Sequence, residues 1–201
     1  MIAGILLAAG ESRRFGSCKL LAPKGGHPLV YYAVYAALES QLGVLHVVLP
    51  PRGLAKEIRE WFPDASRLRM HRNPRPARGI ASSLRTGFES VDDSADGAMI
   101  LLADMPWVGV HLIDKLMATF EMNPGIVVAG CGDTHAHPRI IPRSLFGEFR
   151  ALRDGHSGRK IIDRHTNELI VVPGGDPKQF DDVDYPEDID PEPDRSGPEC
   201  C

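Results

Sequence analysis

The 201-residue chain is short of several things, and each shortage removes a class of protein. It has only four cysteines: Cys18 and Cys131 stand apart, and Cys200-Cys201 are the last two residues. That spacing offers neither a disulfide framework nor a paired Cys-x-x-Cys metal site. No apolar run approaches the roughly 20 residues that a membrane-spanning helix requires. The apolar start, Met1-Ile2-Ala3-Gly4-Ile5-Leu6-Leu7, carries no basic leader, so a cytoplasmic protein is expected. Neither sign of charge dominates, since 23 Lys+Arg face 27 Asp+Glu for a formal −4. A general nucleic-acid binder usually shows a basic field. The one basic cluster here, Arg72 to Arg78, has no aromatic platform beside it. Repeats at a fixed period are absent too, which excludes solenoids and propellers.

What is present is ordinary globular composition, 43% hydrophobic and 25% charged. Residues 1–190 are read as a single domain with a sizeable core. From Tyr185 the chain carries Pro186, Pro191, Pro193 and Pro198 among acidic residues. Residues 191–201 are therefore expected to form a disordered acidic, proline-rich tail.

Short apolar runs alternate with amphipathic stretches. The spacing predicts strands at 2–8, 44–49, 67–71, 98–103, 125–129, 139–141 and 169–172. It predicts helices at 28–40, 54–62, 80–90, 111–120, 144–152 and 159–165. Runs 2–8 and 98–103 are apolar throughout, as strands buried on both faces are. The alternation argues for an α/β fold with a mostly parallel central sheet and helices on both faces, a Rossmann-like three-layer α/β/α arrangement.

In such sheets ligands bind where strand ends meet loops and helix N-termini. The loop after the first strand reads Leu7-Ala8-Ala9-Gly10-Glu11-Ser12-Arg13-Arg14-Phe15-Gly16-Ser17-Cys18-Lys19. Its small residues let the backbone approach a base or phosphate, and successive N–H groups can form an anion nest. Arg13, Arg14 and Lys19 add positive charge suited to a triphosphate. The loop is neither a Walker motif nor a dinucleotide fingerprint, because its glycine spacing fits neither. The bland reading is a tight turn with solvated arginines.

The second apolar strand ends at Asp104-Met105-Pro106. Mg²⁺ is usually held by one or two carboxylates plus substrate phosphates, so Asp104 is a candidate ligand. The alternative is a carboxylate that merely caps a turn.

Leu-Ala-Ala-Gly-x-Ser-x-Arg-Phe-Gly-x-x-Lys resembles the signature of the MobA-like nucleotidyltransferases related to molybdenum cofactor cytidylyltransferase. The resemblance spans roughly residues 2–190. It implies the fold of the nucleotide-diphospho-sugar transferases and Mg²⁺-dependent transfer of CMP from CTP to the phosphate of molybdopterin. It also implies that Arg14, Lys19 and Asp104 are catalytic and that Asp104 ligates the metal. A carboxylate within Asp182-Val183-Asp184-Tyr185-Pro186-Glu187-Asp188 would complete the metal site, Asp182 first and Asp184 as its alternate.

Leu7, Ala8, Ala9, Gly10, Ser12 and Arg13 would hold the nucleotide. So would Arg78 and Ser83, from a Gly-x-x-Ser-Ser-Leu segment like the family's, although Ser82 and Ser83 could instead cap the helix. Leu-Ala-Ala-Gly goes with cytidylyl transfer and Leu-Ala-Gly-Gly with guanylyl transfer, so Ala9 favours CTP. Arg139, Arg143, Arg159 and Lys160 would suit an acceptor phosphate. Asp154-Gly155 stands in reversed order relative to the family. Residues 131–137, with His135 and His137, are read as a polar loop rather than a zinc site. The implied partners are CTP, molybdopterin and a molybdoenzyme that receives the product, with neither membrane nor nucleic acid. Guanylyl transfer, cytidylyl transfer to another phosphorylated acceptor, and a non-catalytic molybdopterin-binding chaperone are the alternatives.

Overall fold

The computed structural model describes residues 1–10, 15, 18–131 and 134–189. Ser12, Arg13, Arg14 and the tail from residue 190 lie outside them.

In chain order the elements are β1 (Ile2–Leu7), β2 (Pro23–Lys24), β3 (His27–Pro28), α1 (Leu29–Glu39), β4 (Leu45–Leu49), α2 (Ala55–Trp61) and β5 (Leu68–Arg72). They continue with α3 (Ile80–Ser90), β6 (Gly97–Leu102), α4 (Val110–Met122), β7 (Ile126–Cys131), β8 (Thr134–Pro142), α5 (Phe146–Arg150), α6 (Arg159–Ile162) and β9 (Leu169–Pro173). Seven strands form one sheet in the order β5-β4-β1-β6-β8-β7-β9. All neighbours are parallel except β8, which runs antiparallel to both β6 and β7.

Central strands feed two core layers by alternation. From β1, Ile2 and Leu6 pack with α1 and α4 on one face, while Ala3 and Ile5 pack with α3 and α5 on the other. Met99 and Leu101 of β6 follow the first layer, Ala98 and Ile100 the second. Burial on both faces is why these two strands read as unbroken apolar runs.

The chain winds from β1 through α1 to β4 and through α2 to β5, then returns through α3 to β6 on the other side of β1. That reversal opens a crevice at the carboxyl ends of β1 and β6, where doubly wound sheets bind ligands. The edges are locked there: the Ala103 N–H donates to the Leu7 carbonyl at 3.1 Å, and the Ala8 N–H to the Val48 carbonyl at 2.9 Å. Helix α3 sits so close to β1 that a Cβ on Gly87 would meet Ile5 Cγ2 at 2.5 Å. Only a residue without a side chain permits that approach, and it fixes the N-terminus of α3 over the crevice.

Four expectations are corrected. Strand β8 covers Thr134–Pro142 and not 139–141 alone, so His135 and His137 lie on a strand and not in a loop. Pro138 interrupts the apolar pattern, and a register shift at Val128/Ala129 of β7 accommodates the irregularity. The 144–152 helix is a 3₁₀ turn (Arg143–Leu145) followed by α5, and α6 ends at Ile162. The β2–β3 hairpin was missed, although Gly25-Gly26, both at positive φ (52° and 91°), is a hairpin turn signal.

Candidate active site

A cleft of about 440 Å³ opens at the crevice, lined by Leu7, Ala8, Ala9, Gly10, Lys19, Ala77, Gly79, Ser83 and Asp104, with apolar walls from Leu20, Pro76, Ile80 and Leu102. It therefore gathers the described part of the first loop, the start of α3 and the end of β6, three segments far apart in sequence.

Lys19 begins a 3₁₀ turn, Lys19–Leu21, whose middle residue Leu20 is buried in the core under α1. The buried leucine anchors the turn and aims the lysine across the mouth of the cleft. On the other bank, Met105 and Val108 are buried directly after Asp104, which holds that carboxylate at the strand end. Lys19 Nζ lies 2.8 Å from Asp104 Oδ2. Lys19 also donates to the Val183 carbonyl at 2.7 Å and to Asp184 Oδ1 at 3.3 Å.

Residues 181–184 carry no regular secondary structure and lie outside the sheet. The Val183 side chain is fully buried, and its N–H donates to the Asp104 carbonyl at 2.9 Å. Burial changes residue by residue along this segment: Val183 is inside, while Asp182 is exposed within reach of the Asp104 charge and Asp184 is half-buried against Lys19. Burial works against the Lys19 ammonium, but hydrogen bonds and charge from Asp104 and Asp184 outweigh it and raise its pKa. Burial, together with the charges of Asp184 and Asp104, lifts the Asp182 carboxyl above the ordinary range, against its own backbone hydrogen bond and Lys19.

Among the described residues no group of three or more His, Cys, Asp or Glu is arranged to hold a metal ion. Asp104 and Asp182 are two carboxylates close enough for the charge of the first to act on the second. That donor set fits Mg²⁺, which takes one or two carboxylates and completes its shell from phosphates and water. Asp184 differs from Asp182 in contacting Lys19 directly, a role that sequence reading missed although the Asp-x-Asp alternation pointed to a shared face.

On the α3 side, neither serine caps the helix; the N-cap is Gly79, at φ 80°. Asn73 is buried and donates to Ser82 Oγ at 2.6 Å and to Ser83 Oγ at 3.1 Å. The Arg78 guanidinium pairs with Asp154 at 2.9 Å, and Arg85 reaches the same carboxylate at 2.5 Å. Asp154, despite the reversed Asp-Gly order, thus ties the loop after α5 to the helix that flanks the cleft.

Of the four acceptor-side cations, Arg139 and Arg159 come within electrostatic reach of each other, and none of the four lines the cleft. Arg143 pairs with Asp96 at 3.2 Å, next to the first residue of β6 and so at the opposite end of that strand from Asp104. The Arg139 side chain donates to the carbonyls of Ala136 and His135 on its own strand. Arg159, the first residue of α6, lies 3.9 Å from Asp163 just past its end, and Lys160 does not line the cleft. Spacing along the chain could not reveal that β8 runs away from the cleft toward Arg143.

A doubly wound sheet with a lysine and carboxylates at its switch point defines a nucleotide-handling α/β protein. The chain matches the MobA-like NTP transferase domain over residues 4–173 and belongs to that family; it is a nucleotidyltransferase of the MobA-like type. It is 31% identical over 178 residues to a probable molybdenum cofactor guanylyltransferase from Mycolicibacterium paratuberculosis, covering 86% of each chain. It is 27% identical over 196 residues to the purine catabolism protein PucB of Bacillus subtilis, covering 93% of each. The crystal structure of Rv0371c from Mycobacterium tuberculosis superposes with a TM-score of 0.75 at 25% identity, covering 93% of this chain and 94% of that one.

Proposed function

We propose that the protein transfers CMP from CTP to the phosphate of molybdopterin and releases pyrophosphate. The observation that carries this reading is the convergence of Lys19 Nζ and Asp104 Oδ2, 2.8 Å apart, at a cleft lined by the Leu7–Gly10 backbone. The acceptor phosphate attacks the α-phosphorus in line and the pyrophosphate leaves opposite. No side chain need act as nucleophile, because a phosphate monoester is largely ionised near neutral pH. Catalysis is then alignment and charge neutralisation. Lys19 supplies one cation, and Arg14, in the family's arginine position, supplies the other. Asp104 and Asp182 are the residues that would hold Mg²⁺, which when bound neutralises charge on the phosphate oxygens.

Ala8 packs into one core layer and Ala9 into the other, so it is backbone that the loop offers to a base. The Ala8 N–H is committed to Val48, which narrows the reading of the base edge to the Ala8 carbonyl and the Ala9 peptide groups. Ser83 serves the ribose or base, Ser12 and Arg13 extend the phosphate grip of the loop, and Arg78, between the cleft-lining Ala77 and Gly79, would reach the nucleotide by leaving its Asp154 partner. Ala9 supports CTP through the Leu-Ala-Ala-Gly pattern. A relative at 31% identity named as a guanylyltransferase favours GTP as the second reading. Incubation of the protein with Mg²⁺, molybdopterin and each of the four labelled triphosphates in turn separates the two. Molybdopterin cytosine dinucleotide with stoichiometric pyrophosphate is the expected result. A guanine dinucleotide would move the assignment to GTP, and no dinucleotide with any triphosphate would reject the reaction.

A further inference from the structure

Asn73 lies one residue beyond β5, is 1% exposed, and has a place for each of its polar side-chain atoms. Its Oδ1 accepts the Arg75 N–H at 2.9 Å, which settles which end of the amide is which. The Nδ2 group then spends its two protons on Ser82 Oγ at 2.6 Å and Ser83 Oγ at 3.1 Å. Its backbone N–H continues the sheet ladder to the Leu49 carbonyl at 2.8 Å. The Arg75 N–H, which can only donate, fixes this orientation, because a flipped amide would set its own N–H₂ against that donor.

The consequence falls on the serines. A hydroxyl has one proton and can accept at its lone pairs. Ser82 Oγ accepts from Asn73 and donates its proton to the Arg75 carbonyl at 2.8 Å, so its donor is used inside the protein. Ser83 Oγ also accepts from Asn73, but among the described residues no acceptor takes its proton. Ser83 lines the cleft while its neighbour does not.

We infer that Asn73 is a positioning residue that sets the polarity of Ser83: by filling a lone pair of its oxygen from behind, it leaves Ser83 to present an O–H donor to the cleft. The matching ligand atom is a hydrogen-bond acceptor, such as a ribose oxygen or a base carbonyl, and not an amino group. The inference rests on the nucleotide-binding reading of the cleft and adds to it the chemical sense of one contact.

A double-mutant cycle tests it, with equilibrium binding of CTP and of GTP measured for wild type, Asn73→Leu, Ser83→Ala and the double variant, alongside thermal melts. Loss of a donor to a buried acceptor is expected to weaken binding by about tenfold to a hundredfold in Ser83→Ala. Asn73→Leu is expected to lose part of that factor, because the hydroxyl is then free to rotate, and the double variant to bind no more weakly than Ser83→Ala alone. Wild-type affinity in Asn73→Leu, or losses that multiply in the double variant, would overturn the inference and assign Asn73 a structural role only. If Asn73→Leu has no cooperative melt, Asn73→Asp replaces it. Its carboxylate keeps the Arg75 N–H and claims the Ser83 proton, so unchanged affinity there overturns the inference as well. Failure of the wild type to bind either triphosphate is a different outcome, since it removes the nucleotide reading itself and this inference with it.

Discussion

Replacing Lys19 by alanine separates catalysis from stability. The ammonium bonds to the Val183 carbonyl at 2.7 Å and pairs with Asp104 at 2.8 Å and Asp184 at 3.3 Å. Its own side chain is 15% exposed, but the two carboxylates are 26% and 43% exposed. Water therefore screens what the substitution leaves behind, and the loss belongs near the surface-pair range, about 1 kcal/mol. For a domain of this size that lowers the melting temperature by about 2–4 °C. On the proposed mechanism the rate responds far more, because the ammonium would face charge that develops only in the transition state: removing one such donor costs about 10²- to 10³-fold, or roughly 2.7–4 kcal/mol. Pyrophosphate release under saturating triphosphate and a melt on the same sample read both quantities. Turnover within tenfold of wild type would refute the role of Lys19. A melting temperature lowered by tens of degrees would mean that the rate loss is unfolding and not chemistry.

Other perturbations follow from the same contacts. Asp104→Ala is expected to lose turnover by a similar factor with the fold retained, as judged by circular dichroism, and near-normal turnover would remove Asp104 from the site. Gly87→Ala forces a methyl to 2.5 Å from Ile5 Cγ2 and is expected to cost about 1–3 kcal/mol through overpacking. An unchanged urea midpoint would show that α3 does not ride as close to β1 as described. The pH profile has a sign set by histidines. Burial pushes His137 and His46 down to about 4, helped at His137 by Arg139 and at His46 by His71 and Arg69, and burial lowers His71 as well. Their folded pKa values lie below the unfolded value of about 6.5, so the unfolded chain binds more protons between those limits. Stability is complete above about pH 6.5 and declines as pH falls toward 4, and a melting temperature flat from pH 7 to 5 would contradict that burial.

Much of the scaffold was legible because two periodicities dominate it. Helix α3 occupies Ile80–Ser90, the stretch its spacing marks out, and β1 and β6 are the two unbroken apolar runs. Both cleft banks were legible too, since Lys19 and Asp104 close motifs at strand ends. Strand β8 was less so: it pairs with distant β6, and that pairing overrides the interruption at Pro138. The β2–β3 hairpin was too short for any periodicity, with two residues in each strand. The partners inside the site were the least legible. Asp184 against Lys19, Asp154 against Arg78, Asn73 behind Ser83 and Arg143 at the far end of β6 are set by how separated segments converge. Charge and spacing along the chain carry no record of that convergence.

The central claim is that chemistry occurs at the α-phosphorus of a nucleotide held in the cleft where Lys19 and Asp104 meet. Parallel reactions with molybdopterin and CTP labelled at either the α- or the γ-phosphate test it directly. The account predicts that α-label moves to the pterin product and γ-label leaves in pyrophosphate, with both movements lost in Lys19→Ala and Asp104→Ala. Label from the γ-position on the pterin product, or transfer that persists in both variants, would contradict it.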